Sequence, residues 1–428
     1  MRRAAIAALV LAPALARADA GEGLPPWVDA DDVPLPTWAT SAAPKKDDTA
    51  VYAAPGDVDQ KRGTLHHDGV RLPIFGAKRA GHCTGRWLLV GPSSWVCGDA
   101  VELSPDPPGA APRPVGTDGL MYRYFFAGRS GASGYVSAAH IEEDTPDFEL
   151  DPGFAIATVA EQVAGGERVV RTRAGAWVRL RDLGAAHPSS FQGERVTGGA
   201  LDFGWVLPER ATVFDGIGPK RKPAGVRLRF EKVTIAEERA APNLGAQLRV
   251  AHDGPGELWI SARDVARPTA APPPQGLAPG ERWIDVELAT QTLVAWEGTT
   301  PVFATLVSTG TGAQGTDTAT PKGVHRIWVK LETSDMDNLE RADAEPAAND
   351  TKRYSIEDVP YVQFFDGAVG LHAAFWHAGF GRVRSHGCVN LAPLDARWLF
   401  QFTGPRLPPG WSAILPTKLD PGTTVRVR

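Results

Sequence analysis

The sequence predicts a mainly β protein, in which one or more small β-barrel-like modules precede a mostly β domain with one main helix. Three observations predict this. The 428 residues include 46 Gly and 37 Pro, a composition that favours short strands and frequent turns over long helices. From about residue 49 onward the apolar residues come in short runs separated by Gly, Pro and Asp, which is strand-and-turn patterning. Helical periodicity is convincing in one segment, "APLDARWLFQF" from Ala392 to Phe402, where Leu394, Trp398 and Leu399 share a face. Pro393 suits the first turn of that helix, and Asp395 complements its N-terminal dipole.

A chain of this length exceeds what one hydrophobic core organises, so at least two domains are expected. The formal charge of −5 shows no basic excess, which leaves nucleic-acid binding without electrostatic support. Residues 1–20, "MRRAAIAALVLAPALARADA", carry two arginines, an apolar run from Ala4 to Leu15, and then small residues. This reads as a signal peptide cut after Ala18 or Ala20, and its apolar run is too short to span a bilayer comfortably. No cysteine lies near the cut, so no lipid anchor is expected there. No later segment is long and apolar enough to cross a membrane. An exported protein of the periplasm or cell-wall compartment is therefore expected, and residues 21–48, Pro-rich and polar, read as a disordered lead-in.

Residues 49–266 carry a weak internal repeat. "SWVCGDAVEL" at Ser94, "AWVRLRDLGA" at Ala176 and "LWISARDVAR" at Leu258 share a Trp, then an Asp followed closely by an aliphatic residue. "GYVSAAHIEE" at Gly134 is a degenerate fourth copy. Trp95, Trp177 and Trp259 are 82 residues apart each time, so this region is expected to hold two small barrels or one elaborated barrel. A Trp-bearing strand followed by a short turn of helix resembles the bacterial Src-homology-3-like domains. That resemblance covers about 50–265 and implies binding to cell-wall peptide or glycan. "RPTAAPPPQGLAPGERW" from Arg267 to Trp283 marks a boundary: residues 267–280 form a Pro-rich linker, because Pro-Pro-Pro fits neither sheet nor helix. Residues 281–428 form the second domain. Within it 332–350, with alternating charges and small residues, read as a solvated insertion or as a lid over a cleft.

Export makes the three cysteines informative, since thiols tend to pair in an oxidising compartment. Cys83 and Cys97 flank "TGRWLLVGPSSWV", a hairpin pattern that would place them on neighbouring strands as a disulfide. Cys388 is left alone in "RSHGCVN", Arg384 to Asn390. Four readings are open for it: nucleophile, metal ligand, half of a disulfide, or buried small side chain. A nucleophilic thiol needs a base or a positive neighbour, and backbone donors for an oxyanion. Gly387 permits the tight turn that would aim such donors. His372, His377 and His386 are within reach. His386, two residues away, would share a face with the thiol on a strand, and His372, 16 residues earlier, is placed to sit on a neighbouring strand. A zinc site from His372, His377 and Cys388 is disfavoured, because five-residue spacing on a strand puts the two histidines on opposite faces. No metal or cofactor is expected.

"VPYVQFFDGAVGLHAAFWHAGFGRVRSHGCVNLAPLDARWLF", from Val359 to Phe400, resembles the catalytic segment of L,D-transpeptidases. The matching elements are a His on a strand, a Trp-His and Phe-Gly stretch, Ser-His-Gly-Cys, and an Asp-containing helix ending in Trp-Leu. "STGTGAQGTDTATPKGVHRIWVK" upstream is similar to the family's strand, loop and Thr-Pro-x-Gly. The resemblance spans about 281–428. It implies that Cys388 is the nucleophile, that His372 is its base, and that the Ala373 carbonyl orients the imidazole. It implies that Ser385, His386 and Gly387 shape the pocket and oxyanion site and that Tyr361 lines the acyl pocket. Trp376 is expected among the substrate-binding residues, and His377 is expected to have a structural role or to line the cleft. Many members carry Arg two residues after the cysteine. Here Asn390 stands there, which leaves the donor's terminal carboxylate to Asn390, Arg384 or Arg382. The implied function is cofactor-free acyl transfer from a peptidoglycan stem tetrapeptide to an amine acceptor. An L,D-carboxypeptidase or cross-link hydrolase using the same cysteine, and a catalytically degenerate wall-binding protein, remain the alternatives.

Overall fold

The sequence repeat is one backbone unit used three times. In the computed structural model, which describes residues 34–339 and 353–428, each Trp-bearing strand runs directly into a 3-10 turn. Ser94–Cys97 leads into Gly98–Ala100, Trp177–Arg179 into Leu180–Asp182, and Leu258–Ser261 into Ala262–Asp264. The residue before each turn has nearly the same extended angles, φ/ψ of −69°/129°, −69°/128° and −64°/130°. The residue after each turn donates its N–H to the turn's first carbonyl, which closes the bend. The degenerate copy departs from this pattern: Ala132–Tyr135 leads to a short α-helix, Ala138–Glu142, capped by the Ser137 hydroxyl.

Among the described residues each of the three Trp-bearing strands contributes to a buried apolar cluster of its own, through Val96, Val178 and Ile260, where the sequence had suggested two barrels or one. Val51, Leu65, Leu88 and Val96 belong to the first, Phe125, Ile156, Val170 and Val178 to the second, and Val206, Val213, Leu248 and Ile260 to the third. Each is built from short strands that bury one face. Cys83 and Cys97 are joined in the first unit, with Cα atoms 5.7 Å apart. The lead-in is shorter than expected. Ser41–Pro44 is a strand paired antiparallel with Val101–Ser104 and Val70–Pro73, because the small side chains of Ser41 and Ala42 pack there with no exposure. The signal-peptide reading lies outside the described residues, as does the insertion beyond 339. The insertion's first residues continue the strand Val329–Asp337.

The C-terminal domain is two β layers with a helix. One sheet runs Thr300–Leu306, Thr292–Glu297, Arg282–Glu287, Thr424–Val427, Gly323–Arg326. The other contains Val329–Asp337, Ser355–Asp366, Val369–Ala373 and Val389–Leu391. The helix Pro393–Phe402 packs on Ser355–Asp366 and Val369–Ala373. Ile284, Val307, Leu371, Val389 and Leu399 meet in the shared core. The Pro-rich linker is irregular but tied down: Arg426 Nη1 donates to the Pro272 carbonyl at 2.7 Å, and Arg428 Nη2 to Thr269 Oγ1 at 2.5 Å.

Two of the N-terminal units pair with this domain through the backbone, Gly63 standing opposite Ile414 and Ala155 opposite Ile356. Glu194–Arg195, which precedes the third unit's first strand Phe203–Val206, also pairs with it, Glu194 opposite Ala304, while the third unit keeps a sheet of its own. Asp395 stands in the first turn of the helix as expected, and it is buried at 3% exposure. Its carboxylate accepts from Thr305 Oγ1 at 2.5 Å and from the Gly193 N–H at 2.9 Å. Burial pushes its pKa up to about 7. At the other end of the helix Lys330, with no exposed surface, donates its Nζ to the Phe400 and Thr403 carbonyls at 2.6 and 2.8 Å. These are carbonyls that the last helical turn leaves unpaired. Desolvation lowers the Lys330 pKa to about 7. Among the described residues no helix is long and apolar enough to cross a membrane.

Candidate active site

Val369–Ala373 and Val389–Leu391 are parallel neighbours, with Leu371 opposite Val389, His372 opposite Asn390 and Ala373 opposite Leu391. This register sets Cys388 at the mouth of the second strand, next to Gly370. The thiol is half-buried, and its Sγ lies 3.7 Å from the Ala368 carbonyl oxygen. Burial pushes the thiol pKa up, while the Gly370 N–H, aimed at the sulfur, opposes that.

The turn that presents the cysteine is held from inside and outside. Ser385 Oγ accepts from the Gly387 N–H at 3.1 Å and donates to the Cys388 carbonyl. Gly387 has φ +129°, a conformation that side chains with a Cβ rarely adopt. From outside, the segment 308–320 wraps the turn. Ser308 and Asn390 exchange backbone hydrogen bonds at 3.0 and 2.9 Å, the Thr311 N–H reaches the Ser385 carbonyl at 3.0 Å, and Thr320 Oγ1 donates to the Gly387 carbonyl at 2.6 Å. Ser308 and Thr320 both lie in the run quoted from the sequence, Thr320 as the Thr of Thr-Pro-x-Gly, but their bonds to the cysteine turn were not expected. The Gly- and Thr-rich run from Ser308 was the signal that backbone approaches backbone here.

His372 is 2% exposed, and its Nδ1 lies 2.9 Å from the Ala373 carbonyl oxygen. A carbonyl only accepts, so Nδ1 carries the proton and Nε2 keeps its lone pair. Burial lowers the pKa to about 4, which keeps the imidazole neutral at physiological pH. The Trp376 indole stacks on it, with ring centres 5.7 Å apart and planes 28° apart. At neutral pH Cys388 is thus a protonated thiol and His372 a neutral imidazole.

The remaining expected residues divide. His377, at 7% exposure, accepts the Gly379 N–H on Nδ1 at 3.0 Å and faces the Asn390 amide across 3.1 Å from Nε2. Both its nitrogens are engaged, and burial together with the Arg384 charge lowers its pKa to about 4. It lies beyond the end of the His372 strand, so the alternation argument applied to it does not describe its position. His386 is exposed and stacked on Tyr354 at 5.4 Å. The strand begins only at Val389, so His386 does not share a strand face with the thiol as expected. Arg384 is exposed, and Arg382 turns away to the Leu207 carbonyl at 3.5 Å. Gly387 supplies the turn, but its N–H is donated to Ser385 and is not an unengaged oxyanion donor. Tyr361 corrects the expectation most plainly. It does not line the cleft: it is 6% exposed, packs on Phe400 at 5.8 Å, and donates its hydroxyl to the Gly119 carbonyl at 2.7 Å. It stays within the strand Ser355–Asp366 at a φ of +62°.

The family model for the L,D-transpeptidase catalytic domain (YkuD) matches residues 281–427. Among solved structures, the chain is 22% identical to an Enterococcus faecium L,D-transpeptidase, covering 35% of this chain and 50% of that one with a TM-score of 0.25. It is 28% identical to one from Stackebrandtia nassauensis, over 35% of this chain and 57% of that one with a TM-score of 0.22. It is 17% identical to one from Mycobacterium smegmatis, over 46% of this chain and 99% of that one with a TM-score of 0.27. The chain thus spans about half the length of the first two. No curated protein matches. Residues 281–427 belong to the L,D-transpeptidase catalytic domain family.

Proposed function

We propose that the protein is an L,D-transpeptidase of the cell envelope that uses Cys388 as its nucleophile and His372 as general base. The observation that carries this reading is the His372 Nδ1 contact to the Ala373 carbonyl at 2.9 Å, on a strand hydrogen-bonded beside the one that Cys388 opens. It leaves Nε2 as a base with no acidic third member needed.

In the first step Nε2 takes the thiol proton as Sγ attacks the carbonyl before the terminal D-residue of a stem tetrapeptide. The C–N bond breaks, the imidazolium returns the proton to the departing amine, and D-alanine leaves. An acyl-cysteine remains. In the second step an acceptor amine attacks the thioester, His372 takes its proton, and the proton passes to the leaving thiolate, regenerating Cys388. Asn390 is 3% exposed with its amide nitrogen on His377, so the exposed Arg384 is the proposed carboxylate-binding group, and the 49–266 region is proposed to hold wall peptide or glycan.

The test is to incubate the exported form with stem tetrapeptide, with and without an amine acceptor, and to weigh the products. A parallel incubation uses a carbapenem, whose strained amide presents the same electrophile. A cross-linked product and one drug mass on Cys388, both absent in Cys388→Ser, are expected. Cleavage that ignores the acceptor would make water the acceptor and the enzyme a carboxypeptidase. An unmodified protein with intact tetrapeptide would overturn the reading.

A further inference from the structure

We propose that Tyr124, from the second N-terminal unit, is a positioning residue for the His372 imidazole; this rests on the reading of His372 as base. One hydrogen bond holds that ring, and a single bond at Nδ1 sets a distance without setting the plane. The plane is set by the Trp376 indole stacked on it at 5.7 Å. Trp376 in turn meets Phe375 edge-on, at 5.1 Å and 85°. Phe375 has no exposed surface; Tyr124 is stacked on it at 3.9 Å and 24°, and Phe126 is tilted against it at the longer distance of 6.2 Å.

Tyr124 is itself fixed. It is 3% exposed, and its hydroxyl donates to the Asp358 carbonyl at 2.6 Å. Three aromatic contacts therefore run from an N-terminal unit to the catalytic imidazole, anchored at the far end by a hydrogen bond. Aromatic pairs hold defined mutual angles, so removing the anchor ring frees Phe375 and, through it, the indole that sets the base. Misplacement of a catalytic group by about 1 Å costs about 10²-fold in rate. The N-terminal region would then contribute to the chemistry as well as to wall contact.

The test uses the full chain with Tyr124→Phe, Tyr124→Leu and Tyr124→Ala beside wild type and His372→Ala. Two rates are followed across pH: alkylation of Cys388 by iodoacetamide and acylation by a carbapenem. Thermal melts are recorded alongside. Tyr124→Phe keeps the stack and is expected to stay within roughly 3-fold of wild type. Tyr124→Ala and Tyr124→Leu are expected to slow acylation roughly 10- to 100-fold, part of the about 10²–10⁴-fold a general base supplies. Their alkylation profiles should move toward that of His372→Ala. Tyr124→Leu keeps apolar volume and decides the matter if the alanine variant does not fold. A folded Leu variant with wild-type rates and pH profile overturns the proposal, since a purely structural residue would move only the melt. If His372→Ala itself leaves both profiles unchanged, the base assignment fails and the positioning role falls with it.

Discussion

His372 and Ala373 are adjacent in the chain, yet the imidazole of the first turns back to within 2.9 Å of the carbonyl of the second. The proposed base is oriented by the strand that carries it. His377, only five residues on, has both nitrogens committed elsewhere.

That contrast predicts different losses. His372→Ala should slow acylation of Cys388 by about 10²–10⁴-fold, whereas His377→Ala should leave most of the rate and lower stability. Stopped-flow acylation with a carbapenem measures both, and equal losses would mean that the wrong histidine is assigned.

Gly387→Ala should be among the most damaging small substitutions. At φ +129° an added Cβ is strained whatever the space, and it would stand 3.3 Å from the Ala319 carbonyl oxygen. A cost of about 1–3 kcal/mol and a displaced Cys388 are expected. Urea unfolding and thiol alkylation, measured on one preparation, report the two effects separately.

The thiol count is a simple check. With Cys83 and Cys97 joined, native protein should take up one equivalent of alkylating agent, at Cys388. Replacing the pair by alanine should cost about 2–4 kcal/mol, seen as a lower melting temperature. Three reactive thiols in oxidised, folded protein would contradict the structure.

Acid stability follows from buried groups of opposite sign. His372 and His377 have pKa values lowered to about 4, against about 6.5 when unfolded. Their contribution is fully present above about 6.5 and is lost as pH falls toward 4. Asp395, pushed up to about 7, works the other way: its contribution is present at low pH and is lost as pH rises through 7. Asp395→Asn removes the opposing carboxylate, so the variant should lose stability more steeply than wild type between pH 7 and 4. Denaturant midpoints at pH 7.5, 6 and 4.5 test the slope, and parallel curves would show that Asp395 does not titrate there.

What the sequence revealed was local. Gly387 beside Cys388 announced a turn, His372 stood a strand and a connection away, and a repeated Trp marked three bends whose backbone angles agree within a few degrees. What it concealed was long-range. Tyr361 reads as a pocket residue until Gly119, 242 residues earlier, takes its hydroxyl. Asp395 reads correctly as a helix-start acid, but nothing local shows that Gly193 and Thr305 will take its carboxylate. Lys330 sits at an ordinary strand position, and nothing in its neighbours says that it will close a helix end 70 residues away. Periodicity reports which face of an element is apolar; it does not report which distant element arrives to cover it.

The pairing of Glu194–Arg195 against Phe303–Ala304, and of Gly63–Leu65 against Trp411–Ile414, bears on how this protein can be cut. A fragment started at residue 281 would carry two strand edges stripped of their neighbours, with N–H and C=O groups turned outward beside apolar side chains. Such edges recruit other chains. The excised domain would then tend to self-associate and precipitate on expression, and its low yield would report on lost edge protection and not on any defect of the catalytic residues.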